Sequence, residues 1–263
     1  MRYADIGGHR IAYRRGGEGP AVVLLHGFTH DSRAWRPQLE SLSDAFDVTA
    51  WEAPGAGGSA DPTEPFVIDQ WADVLAGFMD SIDVPQAHVA GLSWGGLLAQ
   101  ELYRRHGHRV NSLVLADTDA GWKGSLPDPM PQERLAACLR DASLPAAEFV
   151  ERYLPSMFGP AACDEVRMEL GPIMTGFHQT GFRLMATAVA EADTRDLLSL
   201  IRVPTLLIWG EQDARSPLLV AEQFRNAIPG ATLVVIPDVG HVSNLEAPQR
   251  FNDEVRAFWS ALG

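Results

Sequence analysis

A serine ringed by glycines marks the place where this sequence could do chemistry. Gly91-Leu92-Ser93-Trp94-Gly95 falls between an apolar, strand-like run, "AHVAGLS", and a helix-like run, "GGLLAQELYRRH". A strand that turns sharply into a helix puts its corner residue in a strained backbone conformation. Glycines two residues to either side let neighbouring backbone pass without Cβ clashes. The corner hydroxyl then projects above the carboxyl edge of a sheet, beside the positive end of a helix, where developing negative charge is favoured. A Gly-x-Ser-x-Gly pentapeptide in this strand–turn–helix context points to a nucleophilic serine.

A serine hydroxyl needs a base. Of the eight histidines, His241 in "DVGHVSNLEAP" follows the strand-like "ATLVVIPD" and so shares the carboxyl edge with Ser93. His26 reaches that edge too but directly precedes Gly27 in a tight loop. His106 and His108 fall at the far end of the helix that starts at Ser93, about 20 Å away at about 1.5 Å per residue. The base in turn needs a carboxylate to fix its tautomer. Asp213 in "LLIWGEQDARSP" lies just past a strand at the same edge. Asp117 and Asp119, after "VNSLVLA", are rivals, and Asp238 is too near His241 in sequence to reach its imidazole from behind. Acyl transfer also needs two backbone N–H groups facing an oxyanion. Trp94 supplies one as the residue after the nucleophile, and Phe28, in the loop after "AVVLLHG", is the expected second.

The elements that must carry these residues are legible in the patterning. Continuous apolar runs alternate with amphipathic ones such as "VIDQWADVLAGFMDSI", where apolar residues recur at helical spacing. Buried strands separated by helices predict an α/β fold with a mostly parallel sheet covered on both faces. The rhythm breaks between about 120 and 195, where helix-like pieces are separated by prolines. This predicts a core from 1–119 and 196–263 and a helical cap inserted at 120–195. Apolar cap residues Trp122, Met130, Met157, Phe158, Met174, Phe177, Phe182 and Met185 are expected to line an adaptable pocket. The cap shows no evident arginine cluster. Arg183 and His178 are its candidates for orienting a polar group.

Composition narrows the classes. The 263 residues include 46% hydrophobic and 21% charged side chains, enough for a sizeable core. A formal net charge of -13 disfavours nucleic acid and anionic membrane surfaces as partners. No apolar run reaches the about 18 residues of a membrane span, and the first residues show no apolar signal-peptide core, so a cytoplasmic location is expected. Cys138 and Cys163 fit no metal spacing and read as buried or partly buried free thiols. The chemistry implies no metal and no cofactor. Monomer and homodimer are equally compatible with the sequence.

Taken together, "HGF" at 26–28, "APGAGGS" at 53–59, "GLSWGG" at 91–96, "GEQDARSP" at 210–217 and "GHVSNLEAP" at 240–248 resemble the α/β-hydrolase family. The resemblance implies an eight-stranded sheet, a Ser93–Asp213–His241 triad in that chain order, and a cap. Glu52 stands where many relatives have aspartate, away from the chemistry. A serine nucleophile resembles the branch of small bacterial esterases, enol-lactonases and cofactor-free perhydrolases more than dehalogenases. The expected reaction is hydrolysis of a small, largely apolar ester or lactone. The alternatives are a C–C bond hydrolase of aromatic breakdown, a slow-turnover small-molecule receptor, and perhydrolase, transferase or lyase chemistry at the same site.

Overall fold

A computed structural model describes residues 1–263. Eight strands form one sheet in the order β1-β2-β4-β3-β5-β6-β7-β8: β1 Arg2–Ile6, β2 His9–Gly16, β3 Ala21–Leu25, β4 Asp47–Trp51, β5 Ala87–Leu92, β6 Val110–Ala116, β7 Thr205–Gly210 and β8 Thr232–Ile236. The first two strands pair antiparallel, and β2 pairs antiparallel with β4; from β4 to β8 every pairing is parallel. The apolar runs in β3, β5, β6 and β7 are buried over nearly their whole length. That burial on both faces is why these runs are continuous rather than alternating. Edge strand β8, buried at Ile236 and largely open elsewhere, tolerates Thr232 and exposed Val235.

Parallel pairing has one consequence for function. It sends the chain off the carboxyl ends of β3, β4, β5, β6, β7 and β8 at one edge, so six loops leave the sheet there. Helices Ile68–Ser81, Trp94–His106, Leu218–Ala227 and Pro248–Ser260 return the chain to the opposite edge. Their apolar stripes complete a single buried cluster around Trp35, Trp51, Trp71, Trp209 and Trp259.

Between β6 and β7 the chain makes only helices: Trp122–Ser125, Met130–Asp141, Ala146–Tyr153, Asp164–Thr175, Gln179–Glu191 and Arg195–Leu198, with a 3-10 turn at Leu154–Met157. Phe149 organises part of this segment by stacking on Phe177 at 4.0 Å and Tyr153 at 4.4 Å, and meeting Phe182 edge-on at 5.0 Å. Phe182 also stacks on Phe28 of the core at 4.6 Å. Two backbones meet where this segment crosses the loop after β4. A Cβ on Gly181 would collide with the Gly55 carbonyl, so only glycine admits the crossing. Both cysteines are free. Cys138 is buried, whereas Cys163, expected to be at least partly covered, is exposed just ahead of the Asp164–Thr175 helix.

Gly181→Ala should therefore overpack the crossing and cost about 1–3 kcal/mol. Chemical denaturation should show a lower midpoint; an unchanged midpoint would mean the two backbones separate freely.

Candidate active site

Ser93 directly follows β5 with φ 54° and ψ -118°, a positive-φ corner that a non-glycine residue adopts only when its surroundings force it. The forcing groups are visible. The Ser93 N–H donates to the Ala116 carbonyl at 2.8 Å, and the Thr118 hydroxyl donates to the Ser93 carbonyl at 2.6 Å. A Cβ at Gly91 would strike the Gly95 carbonyl, and one at Gly95 the Leu25 carbonyl. Ser93 caps the Trp94–His106 helix without spending its side chain on it. Its Oγ instead lies 2.8 Å from His241 Nε2.

His241 Nδ1 lies 2.8 Å from Asp213 Oδ2, and both residues are buried. The other carboxylate oxygen, Asp213 Oδ1, accepts from the Arg215 and Ser216 N–H groups at 2.8 and 2.9 Å. These bonds leave Oδ2 aimed at the imidazole. The loop itself is held from below, because Trp209 Nε1 donates to the Ser216 carbonyl at 2.8 Å and Ser216 Oγ to the Thr118 carbonyl at 2.5 Å. The His241 loop is pinned as well. Its own N–H donates to the Met157 carbonyl at 2.9 Å. Glu246 accepts from the Gly240 and Gly159 N–H groups at 2.8 and 2.9 Å, joining that loop to the helical segment.

The rival acids do other work. Asp117 accepts from Gly210 N–H at 2.8 Å and from Ser243 Oγ at 2.5 Å and N–H at 3.2 Å, so it ties the ends of β6 and β7 to the His241 loop. Burial, and then the neighbouring Asp213 carboxylate, push its carboxyl well above the usual range. Asp238 donates its backbone N–H to Glu211 Oε2 at 3.3 Å and makes no side-chain bond to His241. His106 pairs with Asp73 at 2.8 Å on the surface. His26 is buried and held neutral by desolvation; its Nδ1 donates to the Gly27 carbonyl at 2.7 Å while its Nε2 accepts the Ala53 N–H at 3.0 Å. It fastens the loops after β3 and β4 together, one of which presents Phe28. Glu52 is buried and accepts from Ser32 Oγ and Gly58 N–H, a role in the same loop pair.

A cavity of about 30 Å³, room for about one water, opens directly over Ser93 and His241. Phe28, Trp94, Trp122 and Val189 form its apolar wall, and Asp119, Arg134 and Arg215 its polar wall. The Phe28 and Trp94 N–H groups donate to no protein acceptor. Of the cap residues expected here, Trp122 alone borders this space. Phe177 and Phe182 border a smaller cavity with Phe28, drawn away by the aromatic stack. Met185 and Met174 are fully buried packing residues, and Met130 is 39% exposed at a helix start. Met157 contributes its carbonyl to His241 rather than its side chain to the cavity, and Phe158 lies beneath the Arg167 guanidinium. His178 contacts Asp61 at 2.6 Å and the Gly57 carbonyl at 3.0 Å, and Arg183 pairs with Glu64 at 2.8 Å. Both fasten the helical segment to the core instead of facing the cavity.

The polar wall corrects the expectation of an apolar pocket. Arg134 comes from the Met130–Asp141 helix and Arg215 from the loop after β7. Neither is conspicuous alone, and only the fold brings them together. Asp119 accepts the Gly121 N–H at 2.9 Å, and burial pushes its carboxyl up to about 6, with Arg134 pulling it back down.

Known proteins resemble this chain in sequence and fold. A model of the alpha/beta hydrolase family matches residues 22–254. The chain is 27% identical over 241 residues to 3-oxoadipate enol-lactonase 2 of Acinetobacter baylyi, covering 90% of this chain and 88% of that one. It is 32% identical over 240 residues to the pimeloyl-[acyl-carrier protein] methyl ester esterase of Chromobacterium violaceum, covering 89% and 92%. The solved structure of a thermophilic esterase from Thermogutta terrifontis, with malate bound, matches with a TM-score of 0.93 at 27% identity, covering 100% of this chain and 99% of that one.

Asp119 should be neutral below pH 6 and ionised above it. A carbon-detected NMR titration should place its midpoint near 6. Since Arg134 favours the ionised form, Arg134→Ala should move that midpoint upward; a downward move would contradict the placement of the two groups.

Proposed function

The chain belongs to the alpha/beta hydrolase family, and we propose that it hydrolyses a carboxylic ester or lactone through an acyl-enzyme on Ser93. The observation that carries this reading is the relay of two 2.8 Å contacts from Asp213 through His241 to a serine Oγ that opens on a cavity. The relatives described above, an enol-lactonase and two esterases, support the same bond type.

In this mechanism His241 Nε2 takes the Ser93 proton as Oγ attacks the acyl carbon. Asp213 keeps the Nδ1 proton in place and stabilises the imidazolium that forms. The oxyanion faces the Phe28 and Trp94 N–H groups, which have no competing acceptor. Trp94 opens the Trp94–His106 helix, so the helix dipole adds to the field there. His241 then protonates the leaving alkoxide, the acyl C–O bond breaks, and the same imidazole deprotonates water to release the acid. Preorganisation is the main contribution, since loss of one oxyanion donor typically costs about 10²–10³ in rate.

A fluorophosphonate probe should label Ser93, read by peptide mass spectrometry, and a panel of graded esters and lactones should be turned over. Ser93→Ala should abolish both while melting like the wild type, and Asp213→Asn should lower kcat by about 10⁴. Turnover retained in purified Ser93→Ala would overturn the nucleophile assignment. Ligand binding with no turnover of any panel member would favour a receptor.

A further inference from the structure

The two arginines over Ser93 have no role in the chemistry just described. Arg215 spends one guanidinium N–H on Ser156 Oγ at 2.9 Å and lies 5.9 Å from the Tyr153 ring. Arg134 lies 5.7 Å from the ring of Trp122 and donates no hydrogen bond to the protein. Neither forms an ion pair. The chain has 34 acidic side chains against 21 basic ones, and elsewhere it pairs Arg33, Arg104, Arg105 and Arg152 with carboxylates. Two partly buried guanidinium groups face one space with Asp119 as the single carboxyl on that wall, and neither is ion-paired to it. Burial first, and then the neighbouring Arg134, oppose the charge of Arg215. A bound anion offsets that opposition.

We propose that Arg134 and Arg215 form a carboxylate-binding subsite beside Ser93, so that the substrate is an ester or lactone that also carries a free carboxylate. The proposal rests on the ester and lactone reading above and narrows its substrate class. A guanidinium fork matches a planar carboxylate in shape and donor spacing. The third polar group of the wall, Asp119, leaves the subsite at a net charge of about +1 when ionised, which suits a monoanionic carboxylate better than a dianionic phosphate. Trp122 and Phe28 cover the methylene spacer between the two ends. Hydrolysis of such a half-ester breaks the acyl C–O bond, adds the elements of water across it and yields a dicarboxylate and an alcohol. The upstream reaction must therefore make a half-ester or an acid-bearing lactone.

Initial rates of methanol release from monomethyl glutarate and dimethyl glutarate test this. The wild type should prefer the monomethyl ester in kcat/KM by about tenfold or more, the loss expected for one missing charge-assisted hydrogen bond. Arg134→Gln and Arg215→Gln should each reduce that ratio by a similar factor, mainly through KM, and the lysine variants should restore part of it. Calorimetry on Ser93→Ala should show glutarate binding that either glutamine substitution weakens. Equal losses for both esters would assign the arginines to structure and overturn the subsite, as would tighter binding of inorganic phosphate than of glutarate. Glutarate binding with no ester turnover would instead overturn the hydrolase reading and leave the subsite standing.

Discussion

The imidazole of His241 is the point on which this structure turns. It sits between a carboxylate 28 residues before it and a hydroxyl 148 residues before it, at 2.8 Å from each. A ring with two such partners has almost no freedom, so three separate loops must arrive within a few tenths of an ångström. The parallel register of β5 to β8 makes this possible, because it delivers all three loops to one edge. No loop could supply that precision by itself. The arrangement is held by buried polar bonds one layer out: Asp117 across β6, β7 and the His241 loop, Ser216 on Thr118, and Glu246 on two backbone N–H groups.

Those outer bonds also explain how the helical segment between β6 and β7 takes part without supplying any member of the relay. Met157 and Gly159 belong to that segment, yet their backbone groups fix the loop that carries His241. The Phe28–Phe182 stack fixes the loop that presents the Phe28 N–H, and the Gly55–Gly181 crossing fixes the loop after β4 that His26 fastens to it. The segment thus sets the shape of the cavity and steadies its floor at once. In this state the cavity has room for about one water, so admission of an ester requires side chains of the wall to move.

Charge is distributed against the overall trend. The chain carries a formal charge of -13, but the space above Ser93 is faced by two guanidinium groups and one carboxyl whose proton leaves near pH 6. An acidic exterior does not predict the sign of a site, because a few desolvated groups dominate the local field.

The order and type of the core elements were legible in the sequence, and three of its candidate residues, Ser93, Asp213 and His241, lie within hydrogen-bonding distance of one another in the fold. Local signals carried them: continuous apolar runs for buried parallel strands, and glycines around a single serine. Loops after strands converge in any parallel sheet, so position put Ser93, Asp213 and His241 at one edge; it put His26, Asp117 and Asp119 there too, and chain order and the family resemblance had to choose among them. The pocket was not legible. Met130, Met157, Met174 and Met185 are apolar helix residues like any others, and whether such a residue faces a cavity or its own packing depends on the angle at which helices cross. Arg134 and Arg215 lie 81 positions apart, on elements with no shared pattern, and only the docking of the helical segment on the core brings their charges to one wall. The sequence determined which elements form and which side chains they carry to the sheet edge, since backbone periodicity is local. Tertiary structure decided what surrounds it, since side-chain convergence is not.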